Sequence, residues 1–158
     1  MYKNMDDCLF CKIVKGDIPS VKIWEDDNFI AILDAFPNTK GAALVISKQH
    51  YDSYAVDMDD DIYTKFFLAG KKVSKLLEDG LGVKRVGIVM EGTGVNHAHL
   101  KLYPMHGLTQ RFGDTFENEK QFLETYPGYL MTKSGEQWNM EKLNEVANEI
   151  LNGKIQNS

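Results

Sequence analysis

The sequence predicts an α+β domain: an antiparallel sheet of about five strands, one long helix and a C-terminal helix. Three observations carry this. Several short apolar or alternating runs are each bounded by turn-forming residues. One long stretch, from Met58 to Leu77 or Asp79, repeats its apolar residues at three- and four-residue intervals. Residues 97–103, His-Ala-His-Leu-Lys-Leu-Tyr, alternate strictly, so that His97, His99, Lys101 and Tyr103 share one strand face and Ala98, Leu100 and Leu102 the other.

Taken in order, Val21–Trp24 and Phe29–Leu33 read as two short strands around the turn-like Glu25-Asp26-Asp27-Asn28. Gly41–Ser47 is nearly all apolar and is expected to be buried on both faces; Pro37 to Gly41 forms the loop leading into it. The long helix is expected to take Asp57 as its N-cap. Asp59, Asp60 and Asp61 in its first turn suit the helix dipole, and Gly80 is its stop. Its stripe runs through Ile62, Tyr63, Phe66, Phe67, Ala69, Val73, Leu76 and Leu77. Val86–Met90 is the fourth strand and the histidine-bearing run the fifth, joined by Glu91–Asn96 with Gly92 and Gly94 in the turn. Beyond Gly107 the period weakens. Tyr129–Lys133 reads as a short strand, and Asn139 as the cap of a final helix carrying Leu143, Val146, Ala147, Ile150 and Leu151. The expected organisation is a core over residues 1–107 and a C-terminal extension over 108–158.

A chain of 158 residues suits one domain. Its net charge of −5 and pI near 5.3 argue against an extended nucleic-acid surface. No apolar run approaches the roughly 20 residues that span a bilayer, and the N-terminus lacks an apolar signal core. A cytoplasmic protein is the expectation. Cys8 and Cys11, the two cysteines, form a Cys-x-x-Cys pair that suits a metal knuckle, a redox pair or inert thiols. The four histidines are His50, His97, His99 and His106, three of them within ten residues. Two arrangements are chemically sensible. One is a closed Cys2His2 zinc site. The other is a nucleophilic imidazole, which needs a partner to fix its tautomer and a pocket for the phosphate it attacks.

The ordered series Cys8-Leu-Phe-Cys11-Lys-Ile-Val with Ile18-Pro19, then Trp24-Glu-Asp-Asp into Ala31-Ile-Leu-Asp34, then Leu44-Val-Ile-Ser-Lys-Gln-His50 and the His-x-His strand, resembles the histidine-triad family. That resemblance covers roughly residues 8–103. It implies nucleotide binding and chemistry through a nucleotidyl-histidine intermediate. By position it implies that His99 is the nucleophile and that Cys8, Cys11, His50 and His97 hold a structural zinc, a ligand plan shared with galactose-phosphate uridylyltransferase. It also implies a base wall of Leu9, Phe10, Ile13, Ile32 and Leu44, with Asp34 on the ribose of a purine nucleotide or nucleotide conjugate. A two-fold homodimer through the long helix and the following strand is typical of such proteins.

The chain departs from the family pattern at Lys101, where a third histidine would stand, and at Thr93 and Gly94, where many members offer serine and glutamine. A lysine is a three-donor cation that suits a phosphate but passes a proton poorly unless its pKa is depressed. His106 is a candidate for the missing imidazole. Arg111 and Trp138 are candidates for contact with a substrate. The expected function is a nucleotidyl hydrolase or transferase acting on a nucleoside phosphoramidate or dinucleoside polyphosphate, with His99 and Lys101 catalytic. The alternatives are a nucleotide-binding or interaction protein with weak or no catalysis, and a small metal-binding module.

Overall fold

A computed structural model of the chain describes residues 7–108 and 124–125. The first of these stretches lies in one of the chain's two compact units, Met1–Asp114. The expected strand Tyr129–Lys133 and the expected terminal helix lie outside the described residues, as do Arg111 and Trp138.

The elements are α1 (Leu9–Lys15), β1 (Lys22–Glu25), β2 (Phe29–Leu33), β3 (Ala43–Ser47), α2 (Asp60–Leu81), β4 (Val86–Val89) and β5 (His99–Pro104). The five strands form one antiparallel sheet in the order β1-β2-β3-β5-β4. The β1–β2 turn is organised by Asp26, whose Oδ1 accepts the backbone N–H groups of Asn28 at 2.9 Å and Phe29 at 2.8 Å. This is the local side-chain bonding that makes Asp a turn residue.

The sheet's two faces are covered by different helices. On one face Phe29, Ala31, Ala43, Val45, Ala98, Leu100 and Leu102 pack against Phe66, Ala69, Val73 and Leu77 of α2. These four belong to the stripe that the periodicity predicts, whereas Tyr63 and Leu76, read into the same stripe, are exposed. Gly70 permits the close approach: a Cβ there would lie 2.7 Å from the Leu100 side chain. On the other face Phe10 of α1 packs with Ile30, Ile32, Leu44 and Ile46. All five residues of β3 are buried, as expected for a central strand covered on both sides.

The bounds of β1, β3 and β4 differ from the sequence expectation by one or two residues, and three further features differ. The α2 N-cap is Asp59, not Asp57, because Ala55–Asp57 forms a separate 3-10 turn. Gly80 does not stop α2; the helix passes through it and ends at Leu81, with the Gly82 N–H donating to the Glu78 carbonyl. Helix α1 has no counterpart in the sequence reading. Its seven residues span only two turns, too few for a helical period to stand out.

Candidate functional site

Cys8 is the N-cap of α1 and Cys11 lies one turn on. His50 follows β3 and His97 precedes β5. Sheet pairing between β3 and β5 brings these last two together, and α1 docks the thiols onto them. The four donor atoms all lie within 4.8 Å of one another. Cys8 Sγ is 3.3 Å from His97 Nδ1, and Cys11 Sγ is 3.4 Å from His50 Nδ1 and 3.5 Å from His97 Nδ1. A tetrahedron with metal–donor bonds of about 2.0–2.3 Å has edges of about 3.3–3.8 Å, so the set fits a divalent metal of zinc's size and softness. The outer shell fits too. His97 Nε2 donates to the Ser47 carbonyl at 2.7 Å, leaving the Nδ1 lone pair to the cluster. Burial holds the His97 imidazole down to about 4, outweighing the Ser47 bond, so the ring is neutral as a ligand must be. Burial, reinforced by the adjacent Cys8 thiol, pushes the Cys11 thiol up to about 11. A metal cation among these donors would draw that proton off.

On the same side of the sheet, His99 faces a cavity of about 750 Å³. Its Nδ1–H donates to the His97 carbonyl at 2.7 Å, which fixes the tautomer with the Nε2 lone pair free of that bond. Burial lowers its pKa and outweighs that hydrogen bond, so the ring is neutral near pH 7, the form that can act as a nucleophile or base. Phe10 braces both imidazoles edge-on, 5.9 Å from His97 and 5.1 Å from His99 between centroids. The sequence pattern places the two rings on one face. It does not anticipate that both are buried, His97 at 0% and His99 at 5% exposure, beneath α1. A cavity of this volume, mostly apolar with a few polar groups, suits a small organic ligand.

A family comparison fits this geometry. The HIT domain family model matches residues 15–111. The chain belongs to the HIT family. It is 37% identical to adenosine 5′-monophosphoramidase hnt1 of Schizosaccharomyces pombe over 61% of this chain and 73% of that protein. Among solved structures it resembles SMU.412c of Streptococcus mutans, with a TM-score of 0.66, 30% identity, and coverage of 97% of this chain and 88% of that one. It also resembles a zinc-bound histidine triad family protein of Mycobacterium smegmatis, with a TM-score of 0.60, 30% identity, and coverage of 75% and 85%.

In this HIT domain the cavity wall holds every residue that the sequence reading assigned to the nucleotide. Leu9, Phe10, Ile13, Ile32 and Leu44 form its apolar side, and Asp34, Thr93 and Gly94 line it together with His99 and Lys101. Asp34 Oδ1 also accepts the Phe36 N–H at 2.8 Å, so this carboxylate shapes its own loop as well. The wall further includes Ile18, Pro19, Val21 and Phe36, which the sequence reading did not assign. The signal available for Phe36 was an aromatic in a polar loop; it is 92% exposed in the loop that follows β2. His106 does not join the site. Its Nε2 meets the Lys40 carbonyl at 2.8 Å at the far end of β5, so a second imidazole is not supplied from there.

The loop beside His99 is held from below. Ser53 Oγ donates to the Gly92 carbonyl at 2.8 Å, and Asn96 Oδ1 accepts the Ser53 N–H at 2.9 Å. Gly92 has φ +71°, and a Cβ there would come within 3.0 Å of the Ser53 carbonyl. Lys101 is ion-paired with Glu91, a partner absent from the sequence reading. Burial works against the Lys101 cation, but the Glu91 carboxylate outweighs it and the net shift is upward. The depressed pKa that would make Lys101 a proton donor is therefore not what this environment produces.

Proposed function

We propose that this protein is a zinc-stabilised nucleotidyl hydrolase or transferase in which His99 attacks the α-phosphate of a purine nucleotide conjugate. The observation that carries this is His99 itself: a neutral imidazole, oriented through Nδ1, on the wall of a largely apolar cavity. The base lies among Leu9, Phe10, Ile13, Ile32 and Leu44. Asp34 accepts from the ribose hydroxyls, and Lys101 with the Thr93 and Gly94 backbone holds phosphate oxygens. The phosphoramidase relative supports the same class of reaction.

Zinc, bound by Cys8, Cys11, His50 and His97, pins α1 to the sheet and so holds Phe10 over His99. The zinc-bound relative and the donor set support this. Among the described residues no helix is long and apolar enough to cross a membrane. The family resemblance, with β4 at the sheet edge and Leu68 and Ile88 exposed, supports a homodimer.

The test is hydrolysis of a panel of adenosine phosphoramidates and dinucleoside polyphosphates by wild type and His99→Ala. Turnover lost in His99→Ala with nucleotide binding retained is the expected result. Nucleotide binding without turnover in the wild type would favour a binding protein instead. Metal binding with no nucleotide affinity would favour a metal module.

A further inference from the structure

We propose that the Glu91–Lys101 ion pair sets leaving-group specificity. The site then prefers nucleotidyl anhydrides, whose leaving group departs as an oxyanion, over phosphoramidates, whose leaving amine has to gain a proton. This rests on the nucleotidyl-transfer reading of His99. Lys101 is two residues from His99 on β5 and lines the same cavity. Residues two apart on a strand project to one face, about 7 Å from each other, close enough to serve the two sides of one phosphate. The Lys101 ammonium is tethered by Glu91, whose side chain is 11% exposed. Lys101 is among the residues that line the cavity and Glu91 is not. A lysine has three donors, and one carboxylate leaves others for an oxyanion.

Among the described residues, the titratable groups on the cavity wall are Asp34, His99 and Lys101. Asp34 is assigned to the ribose, and His99 is spent as the nucleophile. Glu91, Asp34 and Tyr103 all favour the charged form of Lys101. Lys101, held in its charged form by the ion pair, is the group left to meet the leaving group, and it does not offer the readily released proton that general-acid catalysis needs. What the wall offers is a fixed positive charge, which stabilises a departing oxyanion without moving a proton.

The steps balance on that basis. The His99 Nε2 lone pair forms the N–P bond, and the P–O bond to the leaving group breaks with its electron pair on oxygen, beside Lys101. Water then forms an O–P bond, the N–P electron pair returns to Nε2, and the water proton passes to solvent. Carboxylate, sulfate and phosphate leave in this way. An amine does not, because its nitrogen would depart as an amide anion.

The test compares kcat/KM for two adenylyl conjugates matched in size, an acyl or phosphoryl anhydride and an alkyl phosphoramidate, on the full-length protein. Wild type should prefer the anhydride by about 100-fold, the low end of what a general acid contributes. Lys101→His, which adds an imidazole, should narrow that ratio at least about tenfold, by the same reckoning. Glu91→Gln should lower anhydride kcat more than it weakens AMP affinity measured by calorimetry, which a merely structural role would not do. A wild-type ratio near one, or one favouring the phosphoramidate through a His99 adduct, overturns the leaving-group assignment alone. Turnover of neither class, with no adduct on His99, overturns the nucleotidyl-transfer reading beneath it.

Discussion

Replacing Cys11 with serine should destabilise the protein by about as much as removing its metal, and the two effects should not add. Cys11 is 7% exposed and reaches across 39 residues to His50 and 86 residues to His97. Tying a chain across 39 residues removes on the order of 4 kcal/mol of unfolded-state entropy by the chain-closure relation. For a protein of this length that is a fall in Tm of about 8–16 °C. The loss should be uneven. Helix α1 is seven residues long, too short to persist on propensity alone. The sheet keeps its α2-side core, which contains none of the four ligands. The assay is thermal unfolding of wild type and Cys11→Ser, each with zinc and with chelator, alongside hydrogen exchange. Wild type with chelator should match Cys11→Ser, exchange should rise over residues 8–15, and chelator should leave Cys11→Ser unchanged. A wild type indifferent to chelator, or additive losses, would refute the claim that these four side chains form one metal site.

Zinc affinity should tighten by at least about tenfold per pH unit between pH 6 and 8. The Cys11 proton, held up to about 11, has to leave on binding, whereas His97, at about 4, is already neutral; competition with a chromophoric chelator reads this. Asp34→Asn keeps an oxygen for the Phe36 N–H but loses the carboxylate, so AMP affinity should fall about 10- to 100-fold by calorimetry while Tm holds, since hydrogen bonds to charged groups are worth about 1.5–3 kcal/mol. Phe10→Ala removes a 5% exposed ring from the α1-side core and should cost about 3–5 kcal/mol in denaturant unfolding, with nucleotide binding weakened as well. Light scattering should give a dimer of an 18.0 kDa chain, and Ile88→Lys on the edge strand should yield monomer. An unchanged dimer would place the interface elsewhere.

Much of the sheet was legible in the sequence because its strands alternate or are wholly apolar, and the bounds of Phe29–Leu33 were read as they stand. The division of residues 97–102 between two faces was legible for the same reason: period two is a property of the backbone. Helix α1 was not legible, since its start is a cysteine cap and its apolar side is one phenylalanine among residues that also wall the cavity. The roof that buries both imidazoles went unread with it. The Glu91–Lys101 pair was hidden for another reason. It depends on the β4–β5 register, in which Val89 sits opposite Lys101 and the chain then carries Glu91 past it. A run of isolated polar residues in a loop carries no mark of that. His106 shows the converse: a histidine close in sequence to the site that the strand direction carries away from it.

The central claim is that His99 is the nucleophile, and intact-protein mass spectrometry after rapid quench tests it directly. With a hydrolysable adenylyl conjugate in excess, wild type should gain the mass of one adenylyl group, acid-labile and mapped to the peptide carrying His99. His99→Ala should gain none while still binding AMP. An adduct that persists in His99→Ala, or turnover by the wild type with no trapped adduct at any quench time and unchanged rate in His99→Ala, would contradict the account.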